Sequence, residues 1–277
     1  MGKQSQKKRK PYMRILCSQL LEIIPKFFRF WYQYIFKKGS KPDFLVIGAP
    51  RSGTTSLWKH LAQHPKIEFA PHFFRIRLTF SKKPILIQTK EVYFFDRYFS
   101  KGLRWYESLF SQKSTVKGEV TPIYYKYEET LKRIKSSYPH IKLILVLRHP
   151  VKRVISAQKF HTMQYEQQFS RKHLLDEHVY AGLYDYHVTN IFSYFSQNNV
   201  LILNYDDLHE KSQETYDEIF QFLGLPSHKM RITPGVNNSW HAQKKFTHLE
   251  KQLEPIFDPH IKRLWKILGK KFSKWER

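Results

Sequence analysis

A short apolar segment, Phe44 to Ile47, runs into Gly48-Ala49-Pro50-Arg51-Ser52-Gly53-Thr54-Thr55-Ser56 and then into a helical pattern, and this junction restricts the fold more than any other stretch. A strand that ends in a glycine-bounded loop and continues as a helix aims backbone N–H groups and the positive end of a helix dipole at one point. An anion of phosphate size is stabilised there. The glycines let the backbone approach where a side chain would hold it away. Gly48 and Gly53 have the G-x-x-x-x-G spacing of a phosphate loop, but Thr54 stands where a nucleoside triphosphatase has the lysine that reaches the β and γ phosphates. Without that lysine, kinase or ATPase chemistry loses a main electrostatic clamp. The positive group lies inside the loop instead, at Arg51. The competing reading is a structural turn.

From Asp43 onward, apolar runs bounded by turn residues alternate with helical patterns, which predicts an α/β fold: one P-loop-like parallel sheet flanked by helices. Residues 54–64 read as the helix after the loop. Residues 115–118 read as a short strand and 128–138 as a helix closed by Pro139. Lys142 to Leu147 (KLILVL) is an unbroken apolar run that suits a strand buried on both faces, with 151–159 as the following helix. Val200 to Leu203 is a further buried strand, followed by a helix over about 211–223. The tail, 248–268, carries an apolar stripe of Leu249, Leu253, Ile256, Phe257, Ile261, Leu264, Trp265 and Leu268, and Pro255 and Pro259 are expected to break or kink it.

Arg148 ends the strand 142–147, and Ser156 follows eight residues later on the next helix. In doubly wound sheets ligands gather beyond the carboxyl ends of strands, so this arginine and the first loop are expected to share a crevice. Arg148 suits bidentate phosphate binding and Ser156 can add one hydrogen bond. The spacing alone is a weak signal, and its value lies in its placement.

These two elements, in this order and at these strand ends, resemble the 5′-phosphosulfate loop and the 3′-phosphate motif of sulfotransferases that use 3′-phosphoadenosine 5′-phosphosulfate (PAPS). Lys90-Glu91-Val92-Tyr93-Phe94-Phe95-Asp96, Gly102-Leu103-Arg104-Trp105-Tyr106 and Gly118-Glu119-Val120-Thr121-Pro122-Ile123-Tyr124-Tyr125 resemble the heparan sulfate 3-O- and N-sulfotransferase branch and its bacterial relatives, over roughly residues 43–225. The resemblance implies transfer of a sulfuryl group from PAPS to a hydroxyl or amino group of a glycan. It implies that Arg51, Ser52, Gly53, Thr54, Thr55 and Ser56 hold the 5′-phosphosulfate, that Arg148 and Ser156 hold the 3′-phosphate, and that Glu91 takes the acceptor's proton. Read from residues alone, Glu91 beside Lys90 is by default an ordinary surface ion pair. Three departures bear on the acceptor and donor. Tyr93 stands where that branch commonly has a histidine, and Val120 where it has a lysine. The disulfide-closed loop that carries a basic donor contact in the animal enzymes cannot form with one cysteine, so Lys244 or Lys245 is expected to substitute.

Residues 72–89 lie between the loop helix and Lys90-Glu91 and alternate around Phe74, Ile76, Leu78 and Phe80, which predicts a hairpin insertion. Its Arg75, Arg77, Lys82 and Lys83 suit an anionic acceptor groove or a merely solvated insertion.

Charge adds one constraint. The 277 residues carry a formal +25, and residues 1–41 hold eleven Lys/Arg against Glu22, a net +10. We therefore divide the chain into a basic amphipathic N-terminal extension, 1–41, and a single domain, 42–277. Charges and Pro25 interrupt the apolar and aromatic run from Tyr12 to Phe36, which argues against a membrane span or a cleavable signal; residues 12–38 are the candidate for peripheral membrane contact. An interfacial helix pair against anionic lipid fits it, as does docking of the aromatics on the domain. Cys17 is the only cysteine; it excludes intrachain disulfides and cysteine-cluster metal sites and suits a reducing, cytoplasmic compartment. No metal is expected, because His60 and His64, four apart, lack a third ligand by spacing, and the donor carries its own leaving group. Three rivals remain: a tyrosyl-protein sulfotransferase, a P-loop nucleotide phosphotransferase, and a basic module for membranes or, less in keeping with the motifs, nucleic acid.

Overall fold

The computed structural model describes residues 39–70, 73–77, 85–113, 115–164, 171–232 and 247–276. Seven strands fall among these: β1 (Phe44–Gly48), β2 (Ile67–Phe69), β3 (Phe73–Arg77), β4 (Ile85–Thr89), β5 (Val116–Val120), β6 (Lys142–Leu147) and β7 (Val200–Asn204). Five form one sheet in the order β2-β5-β1-β6-β7, and every pairing in it is parallel. β1 and β6, at its centre, bury nearly every side chain. That explains why they read as continuous apolar runs instead of alternating ones.

Parallel strands need crossovers, and these place helices on both faces. On one face, α1 (Thr54–Leu61) and a later helix, Ser212–Leu223, bury Leu57, Leu61, Tyr216, Ile219, Phe220 and Leu223 against Phe44, Val46, Ile144 and Val146. On the other lie α2 (Phe94–Arg97), α3 (Leu103–Glu107), α4 (Glu128–Ser137), α5 (Pro150–Gln164), α6 (Arg171–Tyr180), α7 (Tyr184–Tyr194) and, far along the chain, Thr247–Leu268. The aromatics Phe94, Phe95, Trp105, Tyr106 and Tyr184 of these helices, with Tyr124 from the turn after β5, pack on Leu45, Ile47, Leu143, Leu145 and Leu147. Between β7 and the helix 212–223, which is α9, lies the single turn α8 (Asp207–Glu210); Thr247–Leu268 is α10.

Where the strands sit close, small size decides. A Cβ on Gly118 of β5 would run into the ring of Phe44 on the neighbouring β1. β3 and β4 pair antiparallel as a separate ribbon, Phe73 opposite Thr89 and Arg77 opposite Ile85, and the residues between them, 78–84, lie outside the described residues, as do 1–38.

Several expectations are corrected here. α1 stops at Leu61 instead of running to residue 64, because His64, Pro65 and Lys66 turn the chain into β2. α10 is one continuous helix despite Pro255 and Pro259. Both prolines face solvent, where carbonyls that lose their N–H partner can bond water, while Leu253, Phe257, Ile261 and Leu264 keep one buried face across the break. Ile256 does not belong to that stripe, being 44% exposed. α6 and α7 were not anticipated from the sequence, and α6 shows no clean apolar stripe.

Candidate active site

All the candidate residues that are described gather beyond the carboxyl ends of β1, β5, β6 and β7. The loop after β1 turns sharply: Arg51 and Gly53 both have positive φ, 68° and 79°. At Gly53 the freedom is needed twice, since a Cβ there would also sit 3.0 Å from the ring of Tyr205. Leu57 N–H makes a helical bond back to the Gly53 carbonyl at 2.9 Å, so the amides of Thr54, Thr55 and Ser56 precede the helical ladder and are available to an anion. Ser52 and Thr54 are buried, and Thr55 faces solvent.

Arg148 comes to the same place from the end of β6. Its guanidinium donates to the Arg51 carbonyl at 3.2 Å and lies 4.6 Å from the centre of the Tyr205 ring. Arg51 Nε in turn donates to Ser156 Oγ at 3.3 Å, with its guanidinium 4.4 Å over the Phe160 ring. Burial, and then the charge of Arg148, push the Arg51 guanidinium below its ordinary pKa. Neither arginine has a carboxylate within ion-pair distance among the described residues, and Arg148 Nε is buried with no hydrogen-bond partner. Two converging cations without an acid form an unneutralised site, and an anion is what would relieve it. That arrangement fits a doubly phosphorylated nucleotide. One detail departs from the expected division of labour, because Arg51 and Ser156, assigned to opposite ends of such a ligand, are bonded to each other.

The second half of the site comes from residues 90–97 and the end of β5. Lys90 Nζ donates to Thr54 Oγ1 at 3.2 Å and lies 3.5 Å from Glu91 Oε1, so one ammonium joins the loop to the candidate base. Burial holds the Lys90 pKa below its ordinary value, against the pull of Glu91. The sequence reading gave Lys90 only a surface role. Its ammonium instead lies against Thr54, the loop position without a lysine, from 36 residues away in sequence, which no loop motif could reveal. Thr121 and Tyr205 were likewise missed. Thr121 Oγ1 accepts from the N–H groups of Val92 (3.1 Å) and Tyr93 (3.3 Å) and so ties the Glu91 segment to β5.

Around this segment burial dominates the electrostatics. It raises the Asp96 carboxyl, with Arg97 opposing, and pushes Glu119 up to about 8, with the hydroxyls of Tyr124 and Tyr106 opposing and Asp96 and Glu91 adding repulsion. The fold therefore favours the protonated form of Glu119. Val120 is fully buried on the α1 and α9 side of the sheet, so the position where a lysine was expected near the acceptor does not face the crevice. His60 Nδ1 pairs with Tyr216 Oη at 2.6 Å and His64 Nε2 with the Pro226 carbonyl at 3.2 Å. Lys244 and Lys245 lie outside the described residues, as does residue 72 of the expected insertion.

Comparison with known proteins gives the family and the fold. The sulfotransferase domain family matches residues 41–272. The chain is 26% identical over 205 residues to the bifunctional heparan sulfate N-deacetylase/N-sulfotransferase 1 of Caenorhabditis elegans, covering 68% of this chain and 23% of that protein. It is 27% identical over 225 residues to heparan sulfate glucosamine 3-O-sulfotransferase 6 of Mus musculus, covering 76% of this chain and 59% of that one. It thus spans about a quarter of the first relative and under two thirds of the second. A solved sulfotransferase from Alicyclobacillus acidocaldarius superposes with a TM-score of 0.68 at 20% identity, over 86% of this chain and all of the other, which shows a common fold.

Proposed function

The chain belongs to the sulfotransferase domain family, and on that footing we propose that it transfers a sulfuryl group from PAPS to a hydroxyl or amino group of a glycan. The observation that carries the donor half is the convergence of Arg51 and Arg148, with no carboxylate within ion-pair distance, beside Ser156 and the loop amides. Bound PAPS would supply an activated sulfuryl group on a phosphate leaving group. Arg148 would hold the 3′-phosphate together with Ser156. The amides of residues 53–56, Arg51 and Lys90 would stabilise charge on the sulfonate and the 5′-phosphate. This reading requires Arg51 to exchange Ser156 for donor oxygens.

Glu91 would take the acceptor's proton. The acceptor oxygen or nitrogen forms its bond to sulfur as the bond from sulfur to the 5′-phosphate oxygen breaks. The products are the sulfated acceptor and 3′-phosphoadenosine 5′-phosphate (PAP). The names of the heparan sulfate relatives favour a glucosamine-containing polymer, and the high positive charge suits an acidic one. Contact of residues 12–38 with a membrane surface also belongs to this reading. No described helix is long and apolar enough to cross a membrane.

Calorimetry with PAP, ATP and AMP tests the donor, and selective binding of PAP is expected. Transfer of labelled sulfuryl groups to heparan sulfate, its de-N-acetylated form and a tyrosine peptide tests the acceptor. Glu91→Gln should abolish transfer with PAP affinity retained, and Arg148→Ala should weaken PAP binding at least about tenfold, as loss of a charge-assisted phosphate contact does. Equal binding of ATP and PAP, or normal turnover by the Glu91 variant, would defeat the corresponding half.

A further inference from the structure

Tyr93 lies two residues beyond the candidate base, and its backbone is left-handed, with φ 56° and ψ 29°. A bulky residue adopts that conformation only where its surroundings hold it. Here they do. The Tyr93 N–H donates to Thr121 Oγ1, and the Tyr93 carbonyl accepts from the N–H groups of Arg97 at 3.0 Å and Tyr98 at 3.1 Å. The turn folds the phenol back toward its own chain, where its hydroxyl donates to Glu91 Oε2. The other oxygen, Oε1, faces Lys90. Arg97 lies 4.2 Å over the Tyr93 ring and reaches Asp96 at 3.4 Å, which adds a third restraint on the phenol.

We infer that Tyr93 is a positioning residue: through its hydroxyl it holds the Glu91 carboxylate in the orientation from which the acceptor's proton is taken. The inference rests on the reading of Glu91 as the base. A glutamate has three rotatable side-chain bonds, and a base that must meet one proton at one angle gains from having its oxygens held before the acceptor arrives. A phenol performs this role as a neutral donor throughout the range in which a histidine changes charge.

Two substitutions test it, Tyr93→Phe and Tyr93→His, with Glu91→Gln beside them. Each is assayed for sulfuryl transfer to the best glycan acceptor, for the slow hydrolysis of PAPS with water as acceptor, and for PAP affinity. Tyr93→Phe is expected to lower kcat for both reactions by about 10- to 100-fold, with PAP affinity and the acceptor KM within about twofold of the parent, as for an interaction that matters only in the transition state. Tyr93→His restores a donor and is expected to recover most of the loss. A Tyr93→Phe enzyme with full kcat overturns the role, as does a histidine variant no better than the phenylalanine one. If Glu91→Gln turns over normally, the base reading fails and takes this inference with it. An inactive Glu91→Gln beside a fully active Tyr93→Phe removes Tyr93 alone.

Discussion

At the scale of single residues, burial without neutralisation recurs around this crevice, and Glu119 gives it a measurable consequence. In the unfolded chain this carboxyl loses its proton near the ordinary 4.5, whereas the fold keeps it to about 8. Below pH 4.5 both states are protonated and nothing is lost. Between 4.5 and 8 the folded state binds more protons than the unfolded one, so stability falls as pH rises, by at most about 5 kcal/mol at the upper end. Glu119→Gln is neutral throughout and should lose this decline. Melting temperatures of variant and parent, compared at pH 5 and pH 9, should diverge in favour of the variant at pH 9, and parallel profiles would show that the site does not hold the proton. That Arg51, Arg148 and Ser156 share one crevice was legible from motif placement, and Glu91 became a candidate base only through the family resemblance. Lys90, Thr121 and Tyr205 were not legible, since each acts on a residue far away in sequence.

Among the elements, those that a local pattern could reveal were read well. β6 has the predicted bounds, Lys142–Leu147, because a strand buried on both faces has no alternation to misread. α4 and α9 end where Pro139 and Gly224 stop them. α10 departs from what its local pattern predicts. Proline was given its usual cost, but two prolines on the solvent face leave the buried stripe intact. Pro259→Ala supplies an N–H to the helix without disturbing the core, and should raise stability by about 1–3 kcal/mol. Urea denaturation checks this, and an unchanged midpoint would mean that the helix is already adapted to the proline. α6 was missed because its packing on its neighbours, and not an apolar stripe of its own, makes it a helix.

For the molecule as a whole, charge separates the two halves of the proposed reaction. In the proposed reaction the net +25 would draw in an acidic polymer through a field that salt screens strongly, while the arginines at the proposed donor crevice are half-buried and would be screened less. Raising sodium chloride from about 0.05 to 0.5 M should therefore increase the KM for a heparan-type acceptor far more steeply than the Kd for PAP. Equal slopes would argue that both ligands meet the same exposed field. The sequence by itself determined the parallel α/β sheet, the anion loop and the family, because strand burial, glycine spacing and motif order are local properties of the chain. Only the tertiary structure decided that the Lys90 ammonium lies against Thr54 of the loop, that Tyr93 turns back onto Glu91, and that Val120 faces the core. Those outcomes depend on which strand ends become neighbours, and parallel crossovers bring together residues that no local pattern connects.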